Sequence, residues 1–378
     1  MADYSRIHFD AAIIRRTMAD QEAKSRFDAQ VDYLPRSPRS YRPAIGLIGC
    51  GAITEYHLQA YRKANYDVVA LCDINRDQAV LRQREFYPGA QVYTSHTELL
   101  RRDDIEVVDI ATHPPVRPPL VRDALNAGKH VLSQKPFVLD LDVGQELVAL
   151  ADTKGLKLAV NQNGRWAPHF SYTREAVAAG LLGDPCSAHL SVHWDHSWVQ
   201  GTEFEKVKHL ILYDFAIHWF DMLACLFQGR RCTRVSASTT PAPGQPVAPH
   251  LMAAATLQYE QAQATLAFDA FTQFGDRDVT YVTGTRGTIH SCGQDLYHQQ
   301  LVLETKEGVC QPTLSGRWFP DGFHGTMGEL LCSIEEDREP TISAATNLDS
   351  LALCFAAVAS AETGQPVVPG SIRQLIGV

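Results

Sequence analysis

The chain reads as an α/β protein: an N-terminal doubly wound parallel sheet, then an α+β part on an open, mostly antiparallel sheet. Three observations predict this. Short apolar strands alternate with helical stretches from residue 44 to 161. The first strand, within Ile45-Gly46-Leu47-Ile48-Gly49-Cys50-Gly51-Ala52-Ile53-Thr54, runs into a glycine turn that opens a helix. After residue 161 the apolar period becomes two over longer segments.

The 378 residues suffice for two domains with full cores, and 45% hydrophobic content is ordinary for a globular protein. A net charge of -9 gives no basic surface for nucleic acid. No apolar run is read as approaching membrane-spanning length. Met1-Ala2-Asp3-Tyr4-Ser5-Arg6 lacks the apolar core of a signal peptide. Nine scattered cysteines without a C-x-x-C suit reduced thiols. A soluble cytoplasmic protein is expected.

Residues 1–43 are expected to form an N-terminal arm. Phe27, Val31 and Leu34 fall at helical spacing, as do Ile14 and Met18. Pro35, Pro38 and Pro43, interleaved with arginines, mark a linker. The arm either packs on its own domain or clasps a neighbouring subunit.

Residues 44–161 form the predicted dinucleotide-binding domain, with strands at 44–49, 67–72, 91–93, 106–111, 129–133 and 157–161. Ligands of such sheets sit beyond the carboxyl ends of the strands. That rule singles out Gly49 to Gly51, Asp73, Thr112 to Pro115, and Ser133 to Pro136. Gly49 gives the tight turn, and Gly51 lets backbone approach a pyrophosphate. Ala52 and Ile53 lead into a helix whose free N–H groups face the anion. The third fingerprint position holds Thr54 instead of Gly or Ala. Asp73 ends the second strand roughly 20 residues on, where an acid meets ribose hydroxyls.

Residues 162–378 form the second domain, with helical stretches at 168–180 and 213–227. In Ala188-His189-Leu190-Ser191-Val192-His193-Trp194 the alternate apolar residues share one face. Residues 251–258 and 262–271 read as a hairpin.

The candidate reactive groups are Lys135, Asp214 and His218. Lys135 follows an apolar strand at its carboxyl edge, where a cofactor crevice lies. Taken alone it reads rather as a surface lysine after a strand. Asp214 and His218 stand four apart in a helical, strongly apolar segment. That spacing predicts one face and hydrogen-bonding reach, for catalysis or for a satisfied core pair.

The sequence from Ala44 to Pro369 resembles the glucose–fructose oxidoreductase, inositol dehydrogenase and rhizopine-catabolism oxidoreductases. The matches are the glycine turn Gly49-Cys50-Gly51-Ala52-Ile53, the stretch ending Ser133-Gln134-Lys135-Pro136, and the Asp-x-x-x-His helix at Asp214 and His218. Gly284-Thr285-Arg286-Gly287-Thr288 and residues 360–367 are weaker matches. The resemblance implies a Rossmann domain and nicotinamide-dependent hydride transfer with a sugar, glycoside or cyclic polyol. Lys135, Asp214 and His218 become the catalytic set. A neutral His218 oriented by Asp214 takes the hydroxyl proton, and Lys135 stabilises alkoxide charge. NAD is the implied cofactor because Asp73 repels a 2′-phosphate, while Arg76 keeps NADP open. The family's usual Glu is Gln134 here, which removes a negative charge beside Lys135.

Further expected cofactor contacts are Thr112, His113, Pro115, Gln134 and Asn161. Arg165, Trp194 and His196 are expected against substrate, with Lys135, Asp214 and His218. His193 and His196 form an H-x-x-H, but on a strand they point to opposite faces, so no metal site is expected. The resemblance also implies a homo-oligomer, dimer or tetramer. Two alternatives share every residue: an enzyme that uses NAD transiently for sugar elimination or hydrolysis, and a non-catalytic NAD-binding regulator.

Overall fold

The computed structural model describes residues 25–377. In the first domain β1 (Ala44–Ile48), α1 (Thr54–Lys63), β2 (Asp67–Cys72), α2 (Arg76–Phe86), β3 (Gln91–Tyr93), α3 (His96–Leu100) and β4 (Ile105–Ile110) follow in order. Then come α4 (Arg117–Asn126), β5 (His130–Gln134), α5 (Leu141–Lys154) and β6 (Leu158–Asn161). The six strands are parallel in the order β3-β2-β1-β4-β5-β6. Every residue of β6 is buried, and so is nearly all of β1, β4 and β5, because helices cover both faces. The strand order reverses between β1 and β4, so the turns after them splay apart and leave a crevice. Local chemistry agrees with the layout. Asp140 caps α5 by accepting from the Asp142 and Val143 amides, and Gly155 ends it at φ 65°.

The second domain holds α6 (Pro168–Ala178), β7 (Pro185–His193), α7 (Ile217–Leu226), β8 (Cys232–Thr240), β9 (Met252–Tyr259), β10 (Gln263–Asp269) and β11 (Arg277–Gly284). It continues with β12 (Gly287–Gly293), β13 (Gln299–Thr305), β14 (Gly308–Cys310), α8 (Asp321–Glu335) and α9 (Ala344–Thr363). Its eight strands run β14-β13-β12-β11-β7-β10-β9-β8, antiparallel except for β7 against β10. Ala188, Leu190 and Val192 of β7 lie on the buried face. α6, α7 and α9 pack on the sheet.

α8 crosses back. Phe323, Met327, Leu330 and Leu331 join Ile45, Leu47, Leu58 and Tyr61 in one buried cluster. A helix late in the sequence thus completes the layer over the first sheet. α9 is long and apolar enough by length and composition to cross a membrane, contrary to the reading of the bare sequence. It packs instead against β8, α7 and α5, with most of its length buried.

The arm also departs from expectation. Phe27, Ala29, Val31 and Tyr33 are half-buried in alternation, so residues 25–34 run extended, not helical. The Phe27 amide bonds to the Val309 carbonyl, and Tyr172 and Ser171 hydroxyls hold Ala29 and Tyr33 carbonyls. The Arg39, Ser40 and Tyr41 amides converge on the Glu335 carboxylate, pulling its pKa down to about 2. Residues 25–43 therefore pack on their own chain. Ile14 and Met18 lie outside the described residues.

Candidate active site

The glycine turn sits at the carboxyl end of β1. Gly49 adopts φ 92°, and a Cβ there would stand 2.8 Å from the Ala111 carbonyl oxygen. Gly51 differs: a Cβ on it would meet no atom within 4 Å. Gly51 and Ala52 are exposed, Ile53 is half-buried, and α1 starts at Thr54. Asp73 closes the turn, its Oδ2 accepting the Cys50 amide at 2.7 Å and its Oδ1 the Asn75 amide at 2.8 Å. Thr112 ends the neighbouring β4 turn, and its Oγ1 is buried without a partner. His113 and Pro115 follow on an exposed turn. Open backbone at Gly51, a helix start, a carboxylate at the end of β2 and an orphaned hydroxyl after β4 fit a dinucleotide. Arg76 is exposed at the head of α2.

Lys135 follows β5. Its Nζ donates to the Asp214 carbonyl at 2.9 Å and lies 3.3 Å from Asp214 Oδ2, joining the two domains. Asp214 stands in a π-helical turn, Ile211–Phe215, just ahead of α7. The structure departs here from the expected Asp214–His218 pair. No side-chain hydrogen bond joins Asp214 to His218. The π turn closes through the Ala216 amide to the Ile211 carbonyl, which breaks the α-helical register, and Lys135 takes the carboxylate.

His218 is nonetheless in the same cleft. Burial first, and the Lys135 charge second, hold its imidazole well below the usual histidine range. Its Nδ1 is buried without a partner. The Trp318 ring meets it edge-on at 5.1 Å, and the turn Asn163–Trp166 passes so close that a Cβ on Gly164 would stand 2.9 Å from Nδ1. The imidazole is thus walled by packing, without a carboxylate.

Trp194 and His196 enter from the segment after β7. His196 is buried among Trp194, Trp198 and Phe215 at ring distances of 5.6, 4.9 and 4.7 Å. The Trp198 indole N–H donates to its Nδ1 at 3.3 Å. Burial pushes its pKa down to about 4, and the charges of Asp214 and Lys135 both reach it. Lys135, Asp214, His196 and His218 therefore share one electrostatic environment. His193 is occupied elsewhere, 2.6 Å from Asp269. Among the described residues no three His, Cys, Asp or Glu side chains gather as a metal-ligand cluster.

Two expected contacts are spent inside the protein. Arg165 is buried and donates to both oxygens of Asp221, at 2.5 and 2.8 Å, and to the Thr341 carbonyl. Three of its five N–H donors are thus engaged within the protein. Asn161 is fully buried, its Oδ1 accepting from Thr326 at 2.9 Å and its Nδ2 3.3 Å from His57 Nε2. It ties β6 to α8 and α1.

Other residues were hidden in the sequence. Arg117 is buried with no carboxylate partner and holds the Thr112 and Pro136 carbonyls, so it staples the two turns that flank the crevice. Burial pushes its pKa down to about 10. Trp318 donates to Asn163 Oδ1 at 2.6 Å, and only the tertiary fold brings it to His218. Gly164 carried one signal: it is the small residue inside Asn-Gln-Asn-Gly-Arg.

A doubly wound domain with this turn, facing an amine–carboxylate pair and a buried imidazole, defines a two-domain, dinucleotide-dependent oxidoreductase. Residues 44–162 match the oxidoreductase family with an NAD-binding Rossmann fold, and residues 170–290 match the GFO/IDH/MocA C-terminal domain. The chain belongs to the GFO/IDH/MocA oxidoreductase family. It is similar to a D-apiose dehydrogenase of Paraburkholderia graminis, 26% identical over 339 residues, covering 85% of this chain and 88% of that protein. It is also similar to a 1,5-anhydro-D-fructose reductase of Ensifer adhaerens, 27% identical over 335 residues, covering 85% and 96%. In fold it resembles an Agrobacterium radiobacter oxidoreductase crystallised with NAD+, L-tartaric acid and magnesium. That likeness has a TM-score of 0.77 at 22% identity and covers 88% of this chain and 99% of that one.

Proposed function

We propose that this chain transfers hydride between NAD and a sugar, glycoside or cyclic polyol, with Lys135, Asp214 and His218 as its reactive groups. The observation that carries this reading is the Lys135–Asp214 pair at the domain junction, set in one field with a buried imidazole. Bound NAD supplies the hydride acceptor for a carbinol carbon. A hydroxyl losing hydride must also lose a proton. Neutral His218 is available as its acceptor, and the Lys135 ammonium stabilises the developing alkoxide. Asp214 orients Lys135, which revises the role that sequence spacing assigns it. Trp194, Trp198 and His196 offer flat apolar faces and polar edges suited to a sugar ring. The names of the two curated relatives support a carbohydrate substrate.

Asp73 favours NAD, since a second negative charge beside it would be repelled. The test is a screen of sugars, glycosides and inositols with NAD and NADP in parallel, reading reduced nicotinamide. Steady accumulation of NADH with one substrate class supports the proposal. Product without NADH points to transient oxidation, and binding without turnover to a regulator. We also propose a dimer or tetramer formed on the uncovered face of the eight-stranded sheet, where Tyr281 stands exposed beside His290. A monomer by light scattering would count against that assembly.

A further inference from the structure

Behind Lys135 lies a buried polar chain that the proposed chemistry does not use. His57 of α1, Asp109 of β4, Gln134 of β5 and Asn161 of β6 are each at most 6% exposed. His57 Nδ1 is 2.7 Å from Asp109 Oδ2, which also accepts the Tyr61 hydroxyl at 2.7 Å. His57 Nε2 is 3.0 Å from Gln134 Nε2 and 3.3 Å from Asn161 Nδ2. Gln134 Oε1 accepts the Lys135 amide at 2.7 Å. Phe323 covers the His57 ring at 4.4 Å between centroids.

The direction of the bonds follows from the donors at the two ends of the polar chain. The Lys135 amide is a donor, so the Gln134 oxygen faces it and the Gln134 NH₂ faces His57. The Thr326 hydroxyl and Asn163 amide nitrogen likewise turn Asn161 Oδ1 toward themselves, leaving its NH₂ for His57. Two donors therefore converge on His57 Nε2, which must offer a lone pair. The single ring proton then sits on Nδ1, where the Asp109 carboxylate accepts it.

We propose that His57 is a positioning residue, kept as the neutral Nδ1–H tautomer so that its Nε2 lone pair locks Gln134, and through Gln134 the backbone of Lys135, at the cleft. His57 bonds neither the Lys135 amine nor His218. It acts through the amide next to the catalytic lysine. The inference holds whichever substrate the cleft takes. It also makes position 134 selective for a donor. In Gln134→Glu the carboxylate would face the Nε2 lone pair, and the contact is repaired only if one further proton is placed between the two groups. The charged or titratable groups around that ring are Asp109 and its partner Tyr61, with Arg117 acting on Asp109 from α4. β5, β6 and α8 present Gln134, Asn161, Phe323 and Thr326, which do not titrate.

The test compares the full chain with Gln134→Glu and with Asp109→Asn/Gln134→Glu, by melting temperature and NADH affinity from about pH 6 to about pH 9. Gln134→Glu is expected to track the natural protein at the acid end. It then loses several degrees, and about tenfold in NADH affinity, as rising pH strips the added proton. The double variant is expected to recover part of both losses at high pH. His57 can then donate from Nε2 to the new carboxylate and accept at Nδ1 from the new amide with one proton, and only the Asn161 contact is given up. Nitrogen NMR of histidine-labelled natural protein, with the His57 signal assigned by its loss in His57→Gln, reads the tautomer directly and needs no folded Glu variant. A proton on Nδ1 alone supports the proposal. An Nε2–H tautomer, an imidazolium, or a Gln134→Glu variant whose pH profile parallels the natural protein's overturns it.

Discussion

Lys135 Nζ stands 2.9 Å from the carbonyl oxygen of Asp214 and 3.3 Å from its Oδ2, so one side chain of the nucleotide domain is bonded twice to one residue of the other. An amine held this way has its position set by both halves of the protein. Lys135→Met is expected to lower kcat roughly a hundred- to ten-thousand-fold with NADH affinity changed far less. Asp214→Asn, which keeps the carbonyl contact, is expected to lose less. Steady-state kinetics beside NADH titration by fluorescence separates the two effects.

His218 and His169 are both buried with pKa values driven down by burial, His169 to about 3. Each stays neutral in the fold while the unfolded chain binds a proton near 6.5. Their linkage sign is the same: stability is intact above that value and is lost as pH falls from there toward the lowered folded values. Two outcomes are expected. Oxidation should show no acid limb near pH 6.5 from His218, and His169→Phe or His218→Asn should flatten the acid side of the melting curve.

Asp278 carries the opposite sign. Burial raises its pKa to about 8, with Oδ2 unpartnered and Oδ1 accepting only Gln299 Nε2 at 3.2 Å, beside His169 at 3.6 Å. The folded protein holds a proton that the unfolded chain releases near 3.8, so stability declines from that value up to about 8 and then levels. Asp278→Asn should remove this slope in thermal melts across the window.

Arg165 and Asp221 form a buried bidentate pair that Ser350 completes with a hydroxyl bond at 2.9 Å. Arg165→Leu leaves a buried carboxylate unpaired and should cost about 3–5 kcal/mol in denaturant unfolding. Were Arg165 a substrate contact instead, the same variant would raise KM at unchanged stability.

Gly164→Ala tests the packing that holds His218. The added methyl meets Nδ1 at 2.9 Å and the ring Cγ at 3.1 Å, so the imidazole must shift. A fall in kcat of roughly a hundredfold, with melting temperature and NADH affinity little changed, is the expected result.

The parallel strands were legible to within a residue or so at each end because each is a short apolar run closed by a turn residue, a local signal. Gly49, Gly51 and Asp73 were legible for the same reason: backbone conformation and a strand end are set over a few residues. The arm was misread because Phe27, Val31 and Leu34 mimic a helical period, while Phe27, Ala29, Val31 and Tyr33 alternate against a surface supplied by distant residues. The spacing of Asp214 and His218 misleads because i to i+4 reach presumes an unbroken α-helix, and Asp214 stands in a π turn ahead of the helix that carries His218.

By itself, then, the chain's local patterning determined where the strands, the nucleotide turn and the reactive residue types lie. The tertiary structure alone decided who partners whom. It gave Asp214 to Lys135, Arg165 to Asp221, Asn161 to Thr326 and His57, and set Trp318 and Gly164 against His218. The physical reason is that a buried polar group must find a partner in three dimensions, and the competition among candidates is settled by geometry that no spacing along the chain encodes.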